Sequence, residues 1–332
     1  MTAAPGHFVT EPGESVSLPV FKTGERAFTI DDVLGATAWR GALTPFCVTL
    51  AQRLAAAEAA QAGGLEPDPA AVESATEDFR YARDLVSAEE CEQWLAQRGL
   101  AFADLTTSAT RQLQAELAEV DSAEEFPAPD AALLRTEALL ADEFTEWARQ
   151  LAWRVALAAA ENALPPVGAP REILWSELEQ RFAAACALLT EPARRQRELG
   201  AQRLPLLQTE ISLAEFGEES AAREACLCVS EDGDTLAAVA AANGYPSRTI
   251  TAYLGELPAE WQQGLLGATP GGVLPPQVGT AGACVLQLLS RREPSLNEPA
   301  VTARLDAEVR RQHFGELETR QIRWLLNVEL QT

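Results

Sequence analysis

The side chains that usually carry proton transfer, metal binding or covalent catalysis are scarce in this chain. It has two histidines, His7 and His313, and one lysine, Lys22. No Ser-His-Asp constellation, P-loop or dinucleotide fingerprint is present, and Gly271-Gly272 alone is too short a signal for a phosphate cradle. Six cysteines, Cys47, Cys91, Cys186, Cys226, Cys228 and Cys284, are scattered without a C-x-x-C. On a helix, Cys226 and Cys228 point about 200° apart at 3.6 residues per turn. With so few imidazoles, neither a structural zinc nor any other metal or cofactor is expected. Free thiols in a reducing compartment are the simpler reading, and a Schiff-base mechanism has only Lys22 to draw on.

Charge narrows the partners. Forty-nine acidic residues stand against 26 basic ones, a net charge of −23. Such a surface repels phosphate backbones and anionic lipid, so neither nucleic acid nor membrane is expected. A basic peptide is steered favourably, although solubility alone also explains the excess. No apolar run approaches the roughly 20 residues of a membrane span. The segment Met1–Glu14 lacks the basic and apolar regions of a signal peptide. A soluble, cytoplasmic protein is the expectation.

The elements that position the remaining polar groups follow from periodicity. Residues 15–30 alternate enough for one or two short strands, after which Thr29 or Asp31 can cap a helix through Val33 and Trp39. Residues 47–61 read as a helix, and Gly63 to Pro69 as a loop. Ser87-Ala88-Glu89-Glu90 fits a capping box; its helix stops at Gly99, and Asp104 starts another through Arg111 and Leu113. Val120–Asp130, with Pro127 and Pro129, reads as a linker. Leu140, Phe144, Trp147, Leu151 and Val155 form one amphipathic stripe, and Leu174, Leu178, Phe182, Cys186 and Leu189 a second.

From Leu206 the texture changes. A strand over Leu206–Ala214 precedes a helix over Ser220–Val229 and a short helix Leu236–Ala242 capped by Asp234. Strand-like Thr249–Leu254 leads to a helix with Pro258 at its first position. Gly271-Gly272, Pro275-Pro276 and Gly279 punctuate another strand region before Cys284–Leu289. A last helix runs from Val301 towards Leu330. The order β-α-α-β-α-β-β has too few crossover helices for a doubly wound sheet, so the fold class is α+β. The chain divides, on this reading, into strands and helices over 1–120, middle helices over 121–205, a small α/β domain over 206–294, and a final helix over 295–332 that packs on the helical region.

Several segments carry a resemblance. Leu236-Ala237-Ala238-Val239-Ala240 corresponds to an F-x-x-x-A motif and Leu257-Pro258-Ala259-Glu260-Trp261 to M-P-x-x-F. Gly272 to Gly282 resembles G-x-V-x-x-P-V-x-T-x-x-G, one position shorter. Residues 206–294 thereby resemble the parvulin (PpiC-type) prolyl isomerase domain of SurA- and PrsA-like chaperones, and look closer still to parvulin-related proteins of ribosomal peptide natural-product maturation. The resemblance implies a peptide or proline pocket at Leu257, Trp261, Leu265, Val278 and Thr280. It also implies two catalytic histidines, at places where this chain has Glu210 and Cys284. The glycine-rich segment beside the second strand is reduced to Tyr253-Leu254-Gly255-Glu256.

Each of those residues has a plainer reading. Trp261 serves equally as a core aromatic on a helix face. Cys284 suits a buried strand as a small hydrophobe, Glu210 reads as a solvent-facing strand residue, and His313 as a partly exposed residue of the last helix. Prolyl isomerisation breaks no covalent bond; its barrier of ~18–20 kcal/mol is lowered by an apolar cradle and polar groups that weaken the amide resonance. The expectation is a chaperone-like protein with a degenerate parvulin domain that binds a precursor peptide or unfolded polypeptide in an apolar cleft, with sheet-edge pairing, and presents it to tailoring enzymes. The rivals are an active prolyl isomerase with an altered pocket and a peptide-modifying enzyme using Glu210 or Cys284.

Overall fold

The computed structural model describes residues 18–118, 126–279 and 282–326. The chain is α+β, mainly helical with small antiparallel sheets. Two compact units emerge: Met1–Ala184 with His313–Thr332, and Ala185–Gln312. The second is an insertion in the sequence of the first.

The helical unit opens on an antiparallel hairpin, β1 (Pro19–Thr23) and β2 (Arg26–Thr29). Thr29 caps α1 (Ile30–Trp39) in a reciprocal box with Asp32. Then follow α2 (Thr44–Ala62), α3 (Pro69–Tyr81), α4 (Ala88–Gln97) and α5 (Phe102–Leu117). The box at Ser87 and Glu90 forms as expected. Asp104 does not begin α5; it lies in its first turn, where it accepts the Ala101 amide at 2.7 Å. Helix α3 was not anticipated.

Residues 120–125 of the expected linker, like residues 15–17, lie outside the described residues. The first apolar stripe belongs to two helices, α6 (Ala131–Leu140) and α7 (Glu143–Ala160), with a break after Leu140. All five of its side chains are nonetheless buried. The second stripe lies on α8 (Arg171–Leu189). Val20, Phe21, Phe28, Ile30, Leu151, Val155 and Leu178 form the centre of this unit's core.

The inserted unit contains α9 (Pro192–Ala201), also unanticipated, and then β3 (Gln208–Phe216), α10 (Glu219–Leu227), a π turn (Cys228–Asp232), α11 (Leu236–Ala242) and β4 (Ser247–Tyr253). A 3-10 turn (Leu254–Glu256), α12 (Ala259–Gly267), β5 (Gln277–Gly279) and β6 (Gly282–Arg292) complete it. This is the β-α-α-β-α-β-β order. The sheet runs β4-β3-β6-β5, antiparallel throughout. Gly233 ends the α10 region with φ +76°, a left-handed position that glycine takes without strain. Thr235, not Asp234, caps α11, its hydroxyl accepting the Ala238 amide. Pro258 sits one residue earlier than expected, as the cap of α12.

The last helix, α13 (Pro299–Gln321), stops well before Leu330. After it the chain becomes β7 (Arg323–Trp324), which pairs with β1 through Phe21↔Trp324 and Lys22↔Arg323. Ile322 and Leu325 are therefore not helical, and residues 327–332 lie outside the described residues.

Candidate functional site

Side chains alternate between the two faces of a strand, and that alternation sorts every candidate residue. On β3, Ala214 and Phe216 face α10 and α11, packing with Ala222, Ala225, Leu236 and Val285. Ile211 and Leu213 face the other way, with Leu286 and Leu288 opposite them on β6. That second face is covered by α12 and by the loop carrying Leu274. Gly264 permits the approach: a Cβ there would stand 2.6 Å from the Leu274 Cδ2. The far end of α12 is tied down by Arg291, which donates to the carbonyls of Leu265 at 2.8 Å and Ala268 at 2.5 Å. A cation at a helix C-terminus also complements the helix dipole.

Leu265 is fully buried and Leu257 nearly so, which makes them the floor of this layer and not surfaces for a ligand. Trp261 and Cys284 are half-buried against the same cluster, as is Ile250 of β4, which lies opposite Ile211 and so four residues along β3 from the Cys284 position. Trp261 thus does both of the things open to it: it packs on the core and leaves part of its ring accessible. Around this apolar face stand charged groups. Arg248 pairs with Glu215 at 3.6 Å, and Glu215 is directly opposite Cys284. Burial pushes the Cys284 thiol above its ordinary value, and the negative charges of Glu215 and Glu260 push in the same direction. A thiol so placed is held protonated, contrary to what a nucleophile needs.

The other candidates are not brought to this face. Val278 pairs with Ala283, whose side chain packs on the α10–α11 side; the valine, 63% exposed, belongs to that side. Its neighbour Gln277, opposite Cys284, occupies the place on the Trp261 face. Thr280 lies outside the described residues. Glu210 alternates with Ile211 and so turns away from Cys284. It accepts a hydrogen bond from the Ser290 hydroxyl at 3.0 Å. Since Cys284 pairs with Glu215, the two positions are also five residues apart along β3, about 17 Å at strand rise.

Sequence reasoning missed Ile250, Gln277, Glu215 and Glu260. Ile250 was detectable, because in Thr249–Leu254 it is the β-branched residue that alternates in phase with Ala252. The acids were not, since Glu215 reaches Cys284 through strand register and Glu260 through the packing of α12 on the sheet. Among the described residues no three His, Cys, Asp or Glu side chains converge to hold a metal ion, and no helix is long and apolar enough to cross a membrane.

No protein-family model matches the chain, and no curated protein matches it. Solved structures similar to it include the foldase protein PrsA of Streptococcus pneumoniae, 12% identical over 95% of each chain with a TM-score of 0.32. Another is the foldase PrsA of Lactococcus lactis, 10% identical over 91% of this chain and 89% of that one, with a TM-score of 0.30. A structure of the SurA-like chaperones of Campylobacter jejuni is 8% identical over 92% of this chain and 98% of that one, with a TM-score of 0.21. At such overlap neither residue roles nor activity transfers from those proteins to this chain.

Proposed function

We propose that this chain is a chaperone-like protein that holds an extended polypeptide on the Trp261 face of its inserted unit and does not isomerise it. The observation that carries the reading is that half-buried apolar side chains, Trp261 on α12 and Ile250 on β4, remain on the face covered by α12, and that β4 is an edge of its sheet. An edge strand offers backbone donors and acceptors to an incoming chain, and adjacent side-chain pockets then give selectivity. The inserted unit contains no histidine, and Glu210 and Cys284 lie on opposite faces of the sheet, so they do not act together on one ligand. That weighs against the isomerase alternative and against a shared peptide-modifying role.

In its finer form the occupant is a ribosomal precursor peptide, held in the cytoplasm and presented to tailoring enzymes; unfolded polypeptide in general is the broader form. Calorimetry with a permanently unfolded, carboxymethylated polypeptide and with proline-containing peptides tests the holding role. Binding weakened severalfold or more by Trp261→Ala supports it, whereas no binding at high micromolar concentration defeats it. Turnover well above background in a protease-coupled proline assay would overturn the non-enzymatic part.

A further inference from the structure

A cleft of about 660 Å3 opens in the helical unit among α2, α3, α5 and the junction of α6 with α7. The volume lies within the range of clefts that bury a compact ligand or a few side chains. Its walls are mixed: Phe46 stands edge-on to Trp147, with centroids 5.3 Å apart, and Leu50, Phe79 and Leu105 continue an apolar part, while Thr49, Arg53, Ser108 and Gln112 add polar groups. Two charged side chains in the lining are already satisfied. Arg83 lies 3.8 Å above the Phe79 ring, donates to the Leu140 carbonyl at 2.9 Å and pairs with Asp142. Glu137, whose side chain is 3% exposed, pairs with Arg111, accepts from the Ser108 hydroxyl at 2.8 Å and has Arg53 at 3.9 Å.

Asp142 is held by Arg83, so the charge left for a ligand is that of Asp78 and Glu143, both exposed carboxylates of the lining. A cleft with an aromatic apolar part and two exposed carboxylates, in a chain of net charge −23, is complementary to one kind of segment. We infer that this cleft is a separate docking site for an extended polypeptide segment in which large apolar side chains alternate with Arg or Lys. The apolar groups enter between Phe46, Phe79 and Trp147, and the cations meet the two carboxylates. The inference rests on the reading that the chain holds polypeptides, but it concerns different residues.

The test uses the full chain and two fluorescent 12-residue peptides, one alternating Phe and Leu with Arg, the other with Glu replacing Arg. The Arg peptide is expected to bind at least tenfold more tightly, with an affinity that falls as salt screens those carboxylates. Ala75→Trp, which fills the cleft, and the charge reversal D78K/E143K are each expected to weaken it tenfold or more. Trp261→Ala is expected to leave it within twofold. The surface double reversal keeps the test valid should the tryptophan variant fold poorly. Equal binding of the two peptides, or binding that survives both cleft changes, overturns the inference. Loss on Trp261→Ala alone also overturns it while leaving the proposed function standing. Binding of neither peptide overturns it too, and the unfolded-polypeptide assay then decides the fate of the broader reading.

Discussion

The side-chain oxygen of Gln287, in the middle of β6, accepts the backbone amide of Leu236 at 2.9 Å, tying the first residue of α11 to the sheet. The other end of the same amide donates to the Gly271 carbonyl at 2.9 Å. One buried glutamine therefore joins a central strand to a helix start and to the loop before β5. Gln287→Leu keeps the volume but orphans the buried Leu236 amide, while the exposed Gly271 carbonyl can turn to water. A buried donor left without a partner costs about 1–3 kcal/mol. Urea unfolding is expected to show the inserted unit destabilised by at least that amount; an unchanged midpoint would mean that water replaces the glutamine.

Gly282 opens β6 with φ +138°, and a Cβ there would stand 2.4 Å from the Phe216 carbonyl oxygen. Gly279, its partner across the β5–β6 pair, would place a Cβ no closer than 3.9 Å to any atom beyond its neighbours. Gly282→Ala is therefore expected to cost about 1–3 kcal/mol in backbone strain, with Gly279→Ala close to neutral. Thermal unfolding of the two variants side by side checks this, and equal melting temperatures would refute it.

Local signals made much of this architecture legible, and long-range ones did not. The threonine and serine that open α1 and α4 announce themselves by an acid three residues on. Alternation bounded by glycine and proline gives the order of elements along the inserted unit, though not the order of strands in its sheet. By contrast, nothing near Gln321 in sequence stops α13; the helix ends because Arg323 and Trp324 pair with Lys22 and Phe21, residues from the opposite end of the chain. The break between Leu140 and Glu143 was hidden because the apolar stripe keeps its phase across it. The face on which Val278 lies was hidden for a similar reason. Its motif position suggested a pocket, while its face is set by pairing with Ala283, one register step from Cys284.

The Cys284 thiol supplies a pH test. Burial first, then Glu215 and Glu260, raise its pKa above the ordinary thiol value. At any pH near 8 its thiolate fraction is therefore smaller than that of a free cysteine, and because the thiolate is the reacting species, alkylation is slower. Mass spectrometry resolving each cysteine after iodoacetamide treatment is expected to show Cys284 lagging behind a model thiol, its rate still climbing above pH 9. Removing both carboxylates with E215Q/E260Q lowers the pKa and should speed the reaction at pH 8, leaving the burial effect in place. A rate insensitive to that double change would mean that the two acids do not face the sulfur.

Glu318 on α13 accepts two indole N–H groups, that of Trp153 at 2.7 Å and that of Trp324 at 2.9 Å. The carboxylate is nearly buried, Trp153 stacks on Phe314, and Phe314 in turn meets Phe182. This acid thus links the end of α13 to α7 and to the strand that completes the β2-β1-β7 sheet. Glu318→Leu leaves both indole donors without an acceptor, about 1–3 kcal/mol for each that stays dry. Glu318→Gln keeps one acceptor oxygen but turns its amide donors towards the second indole, so an intermediate loss is expected. Trp324→Phe removes one donor together with its partner interaction and leaves Trp153 bonded, so it should cost less than Glu318→Leu. Denaturant unfolding followed by tryptophan emission orders the three. If Glu318→Leu proves as mild as Trp324→Phe, the buried bond to Trp153 contributes little, and strand pairing alone secures the end of the chain.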